Sequence, residues 1–72
     1  MRKLNELEIG EIGIIMALET NDMKLKLMEL GCLPGETIRI EQIGIKGDPI
    51  SVQISGYNLS LRLTEAQSIV IK

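Results

Sequence analysis

Short stretches in which every second residue is aliphatic constrain the fold of this chain most. The stretches 37–41 and 50–54 are apolar at even positions, and 57–63 is apolar at odd positions. Because successive side chains of a strand point to opposite faces of a sheet, each stretch predicts a β-strand with one face in a core. The runs 12–18 and 69–71 have the same aliphatic character. The sequence therefore predicts five short strands.

The first predicted strand is apolar at all of its even positions. Ile12, Ile14, Met16 and Leu18 occupy those positions, whereas the odd positions are smaller or mixed. The even side chains are therefore expected to form the apolar face of this strand.

A short helix is predicted between the first and second strands. Thr20-Asn21-Asp22 supplies side-chain oxygens that can accept from the free N–H groups of a helix start. With a period of about 3.6 residues, Met23, Leu27 and Leu30 form one stripe that faces the core. Gly31 follows as a residue that readily takes the left-handed conformation of a helix end.

Turn signals separate the remaining elements. Gln42-Ile43 shifts the phase of the second strand and predicts a bulge, and Gly44 to Pro49 is expected to be a loop. Ser55-Gly56 is typical of a hairpin turn. Thr64 to Gln67 is predicted to form one short helical turn before the last strand.

These elements predict the fold class. A chain of 72 residues is expected to hold a single domain spanning 1–72, because a core this small cannot be divided. Five strands with one apolar face each are predicted to wrap into a small, partly open SH3-like barrel, which removes most exposed edges. The class is mainly β, with one inserted short α-helix and a short helical turn before the last strand. So small a core makes self-association or a partner surface a reasonable expectation.

Composition narrows the function classes. The net charge is −2 and the only aromatic is Tyr57, whereas barrels that bind nucleic acid present basic grooves and stacking rings. The single cysteine, Cys32, fits a reducing compartment. No stretch approaches the roughly 20 apolar residues of a membrane span. The sequence predicts a cytoplasmic protein with no nucleic-acid partner and no direct membrane insertion.

Catalytic and metal-binding residues are sparse. The chain has no histidine, so its serines lack the usual general base and an enzyme is not expected. Cys32 is the only thiol and the candidate metal ligand, which would act together with a carboxylate. The alternative is that Cys32 packs as a small apolar side chain beside the helix C-terminus.

Two apolar residues of the predicted helix point away from its core stripe. Leu25 and Met28 lie about 200° and about 140° from Met23 around the helix axis. One interpretation is that neighbouring segments cover them. The other is that they form an exposed apolar patch that binds a partner protein, with methionine adapting to the surface it meets.

Three segments of the chain carry short motifs in a fixed order. Lys26 to Gly35 contains Leu27, Leu30, Gly31, Pro34 and Gly35 in the spacing Leu-x-x-Leu-Gly-x-x-Pro-Gly. Gly47-Asp48-Pro49 stands before the third predicted strand, and Leu59-Ser60-Leu61-Arg62 has the form Leu-x-Leu-Arg. In this order and spacing the three segments resemble the FeoA family of ferrous iron transport proteins. These residues have structural roles, since Gly31 ends the helix, Pro34-Gly35 turns the chain, and Asp48 can accept from backbone N–H groups.

The resemblance implies an accessory protein of bacterial ferrous iron uptake that binds the cytosolic domain of a membrane GTPase-permease. On this reading the partner-binding residues are Leu25, Met28 and the loop residues Lys46, Gly47, Asp48 and Pro49. The family is also described as binding transition metals such as Fe²⁺, and similar domains occur in metal-dependent repressors. A metal-binding or metal-sensing module is therefore the alternative function, and a homo-oligomer stays open. The start at Met1 and the end after the last strand favour a stand-alone form.

Overall fold

A computed structural model describes residues 1–72 as one antiparallel sheet with two short helices. The sheet has six strands, in the order β1-β6-β2-β3-β4-β5. The strands are β1 (Arg2–Lys3), β2 (Ile12–Leu18), β3 (Thr37–Ile43), β4 (Ile50–Ile54), β5 (Tyr57–Leu61) and β6 (Ile69–Ile71). The helices are α1 (Lys24–Glu29) and α2 (Leu63–Ala66), and 3₁₀ turns form at Leu4–Glu6 and Ile45–Gly47. Neither helix is long and apolar enough to cross a membrane.

This architecture confirms the predicted fold class and corrects the number of strands. The sheet has six strands rather than five, because the two residues of β1 also pair with β6. A strand of two residues is too short to show an alternating pattern, so no pattern in the sequence indicated it. The sheet is not closed, because β1 and β5 are its two edges and do not pair with each other, which agrees with the partly open form that was predicted.

The predicted apolar face of β2 is wrong for most of the strand. Ile12, Ile14 and Met16 are exposed at 59%, 44% and 39%, whereas Ile15 is buried. A bulge between Ile15 and Ala17 shifts the register against β6, and this shift brings Leu18 back into the core. The alternation of β2 therefore changes phase at Met16. Gly13 is buried because the side chains of Ile71 and Leu7 occupy the space beside it.

The remaining strands pack with the predicted alternation, except that β5 ends at Leu61 rather than Leu63 and that Tyr57 at its start is 44% exposed. Ile38, Ile40, Ile50, Val52, Ile54, Leu61, Ile69 and Ile71 all belong to one buried aliphatic cluster. The register between β3 and β4 shifts between Ile40 and Gln42, which confirms the predicted bulge. Ser55 and Gly56 both have positive φ, 52° and 81°, which is the conformation of a tight two-residue hairpin turn.

Helix α1 is shorter than its sequence signals suggest. Asn21 accepts a hydrogen bond from the Met23 N–H at 2.8 Å, so its side chain closes a turn before the helix and leaves α1 without a side-chain cap. The predicted core stripe is confirmed, because Leu27 is fully buried and Met23 and Leu30 pack against the core.

The C-terminal end of α1 is fixed by the single aromatic residue. The Tyr57 hydroxyl donates a hydrogen bond to the Leu30 carbonyl, which α1 itself leaves free. Gly31 follows with φ of +97°, and a Cβ added there would lie 2.8 Å from the Tyr57 Oη. Glycine is therefore favoured at position 31 by its backbone conformation, and an added Cβ would also displace the Tyr57 hydroxyl.

Two carboxylates hold the start of α2. Asp48 accepts from the Leu63 N–H and from the Arg62 guanidinium, both at 2.9 Å. Glu65 accepts from the Arg62 N–H at 2.8 Å and from the Lys26 Nζ at 2.6 Å. The helix begins at Leu63, one residue before the predicted Thr64. These contacts confirm that Asp48 accepts from a backbone N–H, and they connect the 44–49 loop and α1 to the same short helix.

Glu65 is a buried charge that depends on its partners, because only 6% of it is exposed. Burial by itself would raise the pKa of Glu65. The hydrogen bonds from Lys26 and the Arg62 N–H, together with the positive charges of Lys26 and Arg62, outweigh burial and hold this pKa below its ordinary value.

Gly31→Ala is expected to lower the free energy of unfolding more than Gly35→Ala does. Gly35 also has a positive φ, +93°, but nothing lies within 4 Å of an added Cβ. The Gly35→Ala variant therefore measures the cost of the backbone strain alone. Only the Gly31 variant must displace the Tyr57 hydroxyl, which adds about 1 kcal/mol for the lost hydrogen bond. Urea unfolding of both variants, repeated in a Tyr57→Phe background, measures the difference. Equal losses for both glycines in wild-type background would contradict the covering role of Tyr57.

Lys26→Met is expected to make the protein more sensitive to acid. The pKa of Glu65 is depressed in the folded state, so its contribution to stability is present above its unfolded pKa of about 4.5 and is lost as pH falls through the folded value. Without Lys26 the depression shrinks, and this loss begins at a higher pH. We also expect a loss of about 1–2 kcal/mol at neutral pH.

Urea midpoints measured from neutral to acid pH test this expectation. Lys24→Met is the matched control, because Lys24 is an exposed residue of the same helix and makes no ion pair. Superimposable pH profiles for the two variants would show that the Lys26–Glu65 contact does not hold the Glu65 pKa down.

Candidate partner-binding surface

The exposed side of α1 presents two neighbouring apolar side chains. Leu25 is 69% exposed and Met28 is 39% exposed, whereas Leu27 between them is fully buried. Residues three apart on a helix lie side by side, so Leu25 and Met28 form one patch, which we call the α1 patch. No segment of the chain covers it to the extent that Leu27 is covered.

The α1 patch is held on a fixed support despite the short length of the helix. A helix of six residues is marginal by itself. Leu27 anchors α1 in the core, Lys26 connects it to Glu65 of α2, and Tyr57 binds the Leu30 carbonyl at its end. These three attachments lie on the sides of α1 that do not carry the patch, so the patch is preorganised for contact.

The 44–49 loop divides into structural and exposed residues. Asp48 is committed to Arg62 and Leu63, and Gly44 lies so close to the Asp48 carbonyl that an added Cβ would be 2.5 Å from its oxygen. The Asp48–Pro49 peptide bond is cis. Lys46 and Pro49 are exposed, and Gly47 is half-buried. The loop therefore exposes the positive charge of Lys46, while the contacts of Asp48 hold its backbone in place.

The structure connects these two predicted regions only indirectly. No hydrogen bond or ion pair joins α1 to the 44–49 loop. Instead, Lys26 of α1 binds Glu65, and Asp48 of the loop binds Arg62 and Leu63. Both regions are positioned by residues 62–65.

The motif residues have the structural positions that their types suggest. Leu27 is buried and Leu30 packs on the core, Gly31 and Gly35 have positive φ, and Pro34 is exposed in the turn after α1. The Arg62 side chain, 68% exposed, pairs with Asp48. The pairing joins two motif segments that lie far apart in the sequence.

Sequence reasoning missed an apolar stripe on the outer face of the sheet. Ile12, Ile14 and Met16 of β2 form this stripe, and Ile12 and Ile14 lie opposite Arg39 and Thr37 of β3. Beside the stripe runs an open groove of about 530 Å³, lined by Ile12, Gly35, Glu36, Thr37, Arg39, Gln53, Ile54, Ser55 and Gly56. The available signal was Ile15, an apolar residue at an odd position that the even pattern left unexplained.

Cys32 does not fit a metal site. It is fully buried in the aliphatic core, and burial, followed by the negative charge of Glu65, raises the pKa of its thiol to about 11. Metals bind the thiolate, which such a pKa disfavours at neutral pH. The chain also brings together no group of three or more His, Cys, Asp or Glu residues. The interpretation of Cys32 as a packed apolar side chain agrees with its position.

Comparisons with known proteins place this fold in a family. A family model described as "FeoA domain" matches residues 2–72. An Fe(2+) transport protein A/Fe(2+) transporter FeoB fusion protein of Porphyromonas gingivalis is 31% identical over 71 residues, which are 97% of this chain and 8% of that protein. The chain thus spans only a small part of this curated relative.

Solved structures agree with the family match. An FeoA-like protein from Clostridium acetobutylicum is 36% identical with a TM-score of 0.89, covering 100% of this chain and 88% of that one. A zinc complex of FeoA from Stenotrophomonas maltophilia, described as a prokaryotic SH3 domain protein, is 26% identical with a TM-score of 0.88, covering 100% and 91%. The T. acidophilum IdeR, at 23% identity and a TM-score of 0.85 over 99% of this chain and 33% of its own, shares the fold.

The family model covers nearly the whole chain, and both the fusion protein and the solved relatives carry the same domain. This chain therefore belongs to the FeoA family, which is linked to ferrous iron transport.

Proposed function

We propose that this chain is a non-catalytic accessory protein of ferrous iron transport. It acts in the cytoplasm as a single domain and modulates a membrane GTPase-permease by binding its cytosolic domain. Fe²⁺ is the cargo of the transporter on this proposal and is not a resident cofactor of this chain.

The fusion protein of P. gingivalis supports the identity of the partner. In that protein a segment 31% identical to this chain shares one polypeptide with an FeoB transporter. Two modules that are joined in one chain are held at a high effective concentration, and this arrangement favours pairs that work together. We expect this chain to act on such a transporter by binding to it.

The α1 patch is the observation that carries the proposal. Leu25 is one of the most exposed large apolar residues of the chain, and Met28 lies beside it on a helix with three attachments to the body. A side chain such as leucine contributes about 1.5–3 kcal/mol when it moves from water into a well-packed interface. Lys46 adds an exposed positive charge for an acidic group at the rim.

The carboxylates support a non-catalytic role. Asp48 and Glu65 each accept two hydrogen bonds from the chain itself. A general base must be free to take a proton from a substrate. Both of these groups instead maintain the structure around α2.

Leu25→Asp is expected to weaken binding to the cytosolic domain of the cognate transporter at least about tenfold, because a buried contact is lost and a charge is desolvated. Ile9→Asp is the matched control, since Ile9 is 63% exposed and the change adds the same charge elsewhere. Calorimetric titration of both variants measures the effect, and circular dichroism checks that both fold. The proposal fails if wild type does not bind, if Leu25→Asp binds as well as wild type, or if ferrous uptake is normal after deletion of the gene.

A second candidate function is transition-metal binding or sensing, which the zinc complex of the S. maltophilia relative favours. The residues of this chain argue against a site at Cys32, since the thiol is buried and its pKa is raised to about 11. A metal bound between two copies of the chain would also require this thiol to leave the core.

We expect Cys32→Ala to leave any titration with Fe²⁺, Mn²⁺ or Zn²⁺ unchanged, while it lowers the free energy of unfolding by about 1 kcal/mol for lost packing. Cys32 should also react with a thiol reagent far more slowly in native protein than in urea, because the reactive thiolate is disfavoured and covered. A metal affinity that disappears in Cys32→Ala, with the fold retained, would instead support the metal-binding function.

A further inference from the structure

The outer edge of β5 has unpaired backbone groups in solvent. β5 is the last strand of the sheet and pairs only with β4. Ile54 and Tyr57 flank the two-residue turn and therefore exchange hydrogen bonds with each other. Because hydrogen-bonded and non-hydrogen-bonded pairs alternate along an antiparallel ladder, Leu59 and Leu61 also bond to β4, whereas Asn58 and Ser60 face away from it.

Asn58 and Ser60 have no other partners in the chain. Both are exposed, and neither takes part in a hydrogen bond outside the sheet ladder. The edge therefore presents two N–H donors and two carbonyl acceptors in a row, which is the arrangement that another strand can extend.

The two edges of the sheet differ in their protection. β1 at the opposite edge has only two residues, and both are charged and paired with acids, Arg2 with Glu11 and Lys3 with Glu19. β5 has five residues without a charge, a proline or a bulge against β4. Short length, charge, proline and bulges are the usual features that keep edge strands from pairing, and β5 has none of the four.

The sequence of β5 is complementary to itself in the antiparallel direction. If Leu59 lies opposite Leu59 of a second copy, Asn58 of each copy lies opposite Ser60 of the other. Each of these two pairs can exchange two hydrogen bonds, and together they use the four groups that are free on each edge. In this register Tyr57 faces Leu61, and Arg62 faces Gly56 of the turn, so no like charges meet.

We propose that the chain forms a two-fold symmetric dimer in which the β5 strands of two copies pair antiparallel, centred on Leu59. The two sheets then form one continuous sheet, and the half-buried Leu59 side chains meet on its core side. The contact uses backbone groups of β5, not the α1 patch, so it does not depend on the proposed transporter partner. An interface of this length lies well below the roughly 1,200 Å² of a stable complex, so we expect a weak dimer with a Kd of about 0.1–1 mM.

Ser60→Pro tests the dimer without removing a hydrogen bond of the monomer. Proline eliminates the Ser60 N–H and places a ring at the edge, and prolines are tolerated in edge strands where the missing N–H faces solvent. We expect Ser60→Pro to raise the dimer Kd at least about tenfold, because both copies lose a hydrogen bond and gain a steric block. Ser60→Ala keeps the N–H and is expected to dimerise as wild type does.

Diffusion measurements by NMR over a concentration series give the Kd of the three proteins, and thermal unfolding checks their folding.

Hydrogen exchange of wild type gives a second measurement that requires no variant. The amides of Asn58 and Ser60 should exchange more slowly as concentration rises, whereas those of Leu59 and Leu61 should stay protected throughout. A Kd of about 0.1–1 mM places more than about half of the chains in dimers at about 2 mM, so a wild-type protein that stays monomeric there overturns the proposal. So does exchange at Asn58 and Ser60 that is independent of concentration, or a Ser60→Pro variant that folds and dimerises as wild type does. A monomer that instead binds extended peptides along β5 would also overturn it.

Discussion

Two carboxylates at the start of α2 hold the 44–49 loop and the α1 patch to the same element. A helix of four residues cannot satisfy its own first N–H groups, and here Asp48 and Glu65 accept from Leu63 and Arg62. Negative charge at a helix start is also favourable because the N–H groups there point outward. The second oxygen of each carboxylate binds a cation, Arg62 for Asp48 and Lys26 for Glu65. One short helix thus fixes both the 44–49 loop and α1.

The Arg62–Asp48 and Lys26–Glu65 ion pairs differ in how they stabilise the folded structure. The Arg62 side chain is 68% exposed, so its attraction to Asp48 is screened by water and contributes little by itself. The hydrogen bond from the Leu63 N–H, which is partly buried, contributes more to the position of the loop. The Lys26–Glu65 pair is asymmetric, because the lysine is mostly exposed and the carboxylate is 8% exposed at its side chain. Its main effect is to keep a buried negative charge compensated.

The fold could be predicted well from the sequence where a strand has only one apolar face, because the buried face is then unambiguous. β4 and β5 have a clear period of two, and the turn at Ser55-Gly56 fixes their register, so the hairpin followed directly. The prediction for β2 was wrong because both faces of this strand carry aliphatic residues. The bulge at Met16 decides which residues are buried, and it depends on pairing with β6, which is far along the chain. The patch residues Leu25 and Met28 could be predicted because helical spacing is local. The contact of Asp48 with Arg62 could not, since only the folded sheet brings them together.

The contact between Tyr57 and the Leu30 carbonyl places the only aromatic ring of the chain against the end of the helix that carries the α1 patch. The emission of this protein on excitation near 280 nm therefore comes from one side chain whose hydroxyl is bound to a backbone oxygen. Displacement of α1 changes the surroundings of that hydroxyl, and no second fluorophore dilutes the change. The protein thus has, in its own sequence, an optical reporter of how α1 is seated against the rest of the fold.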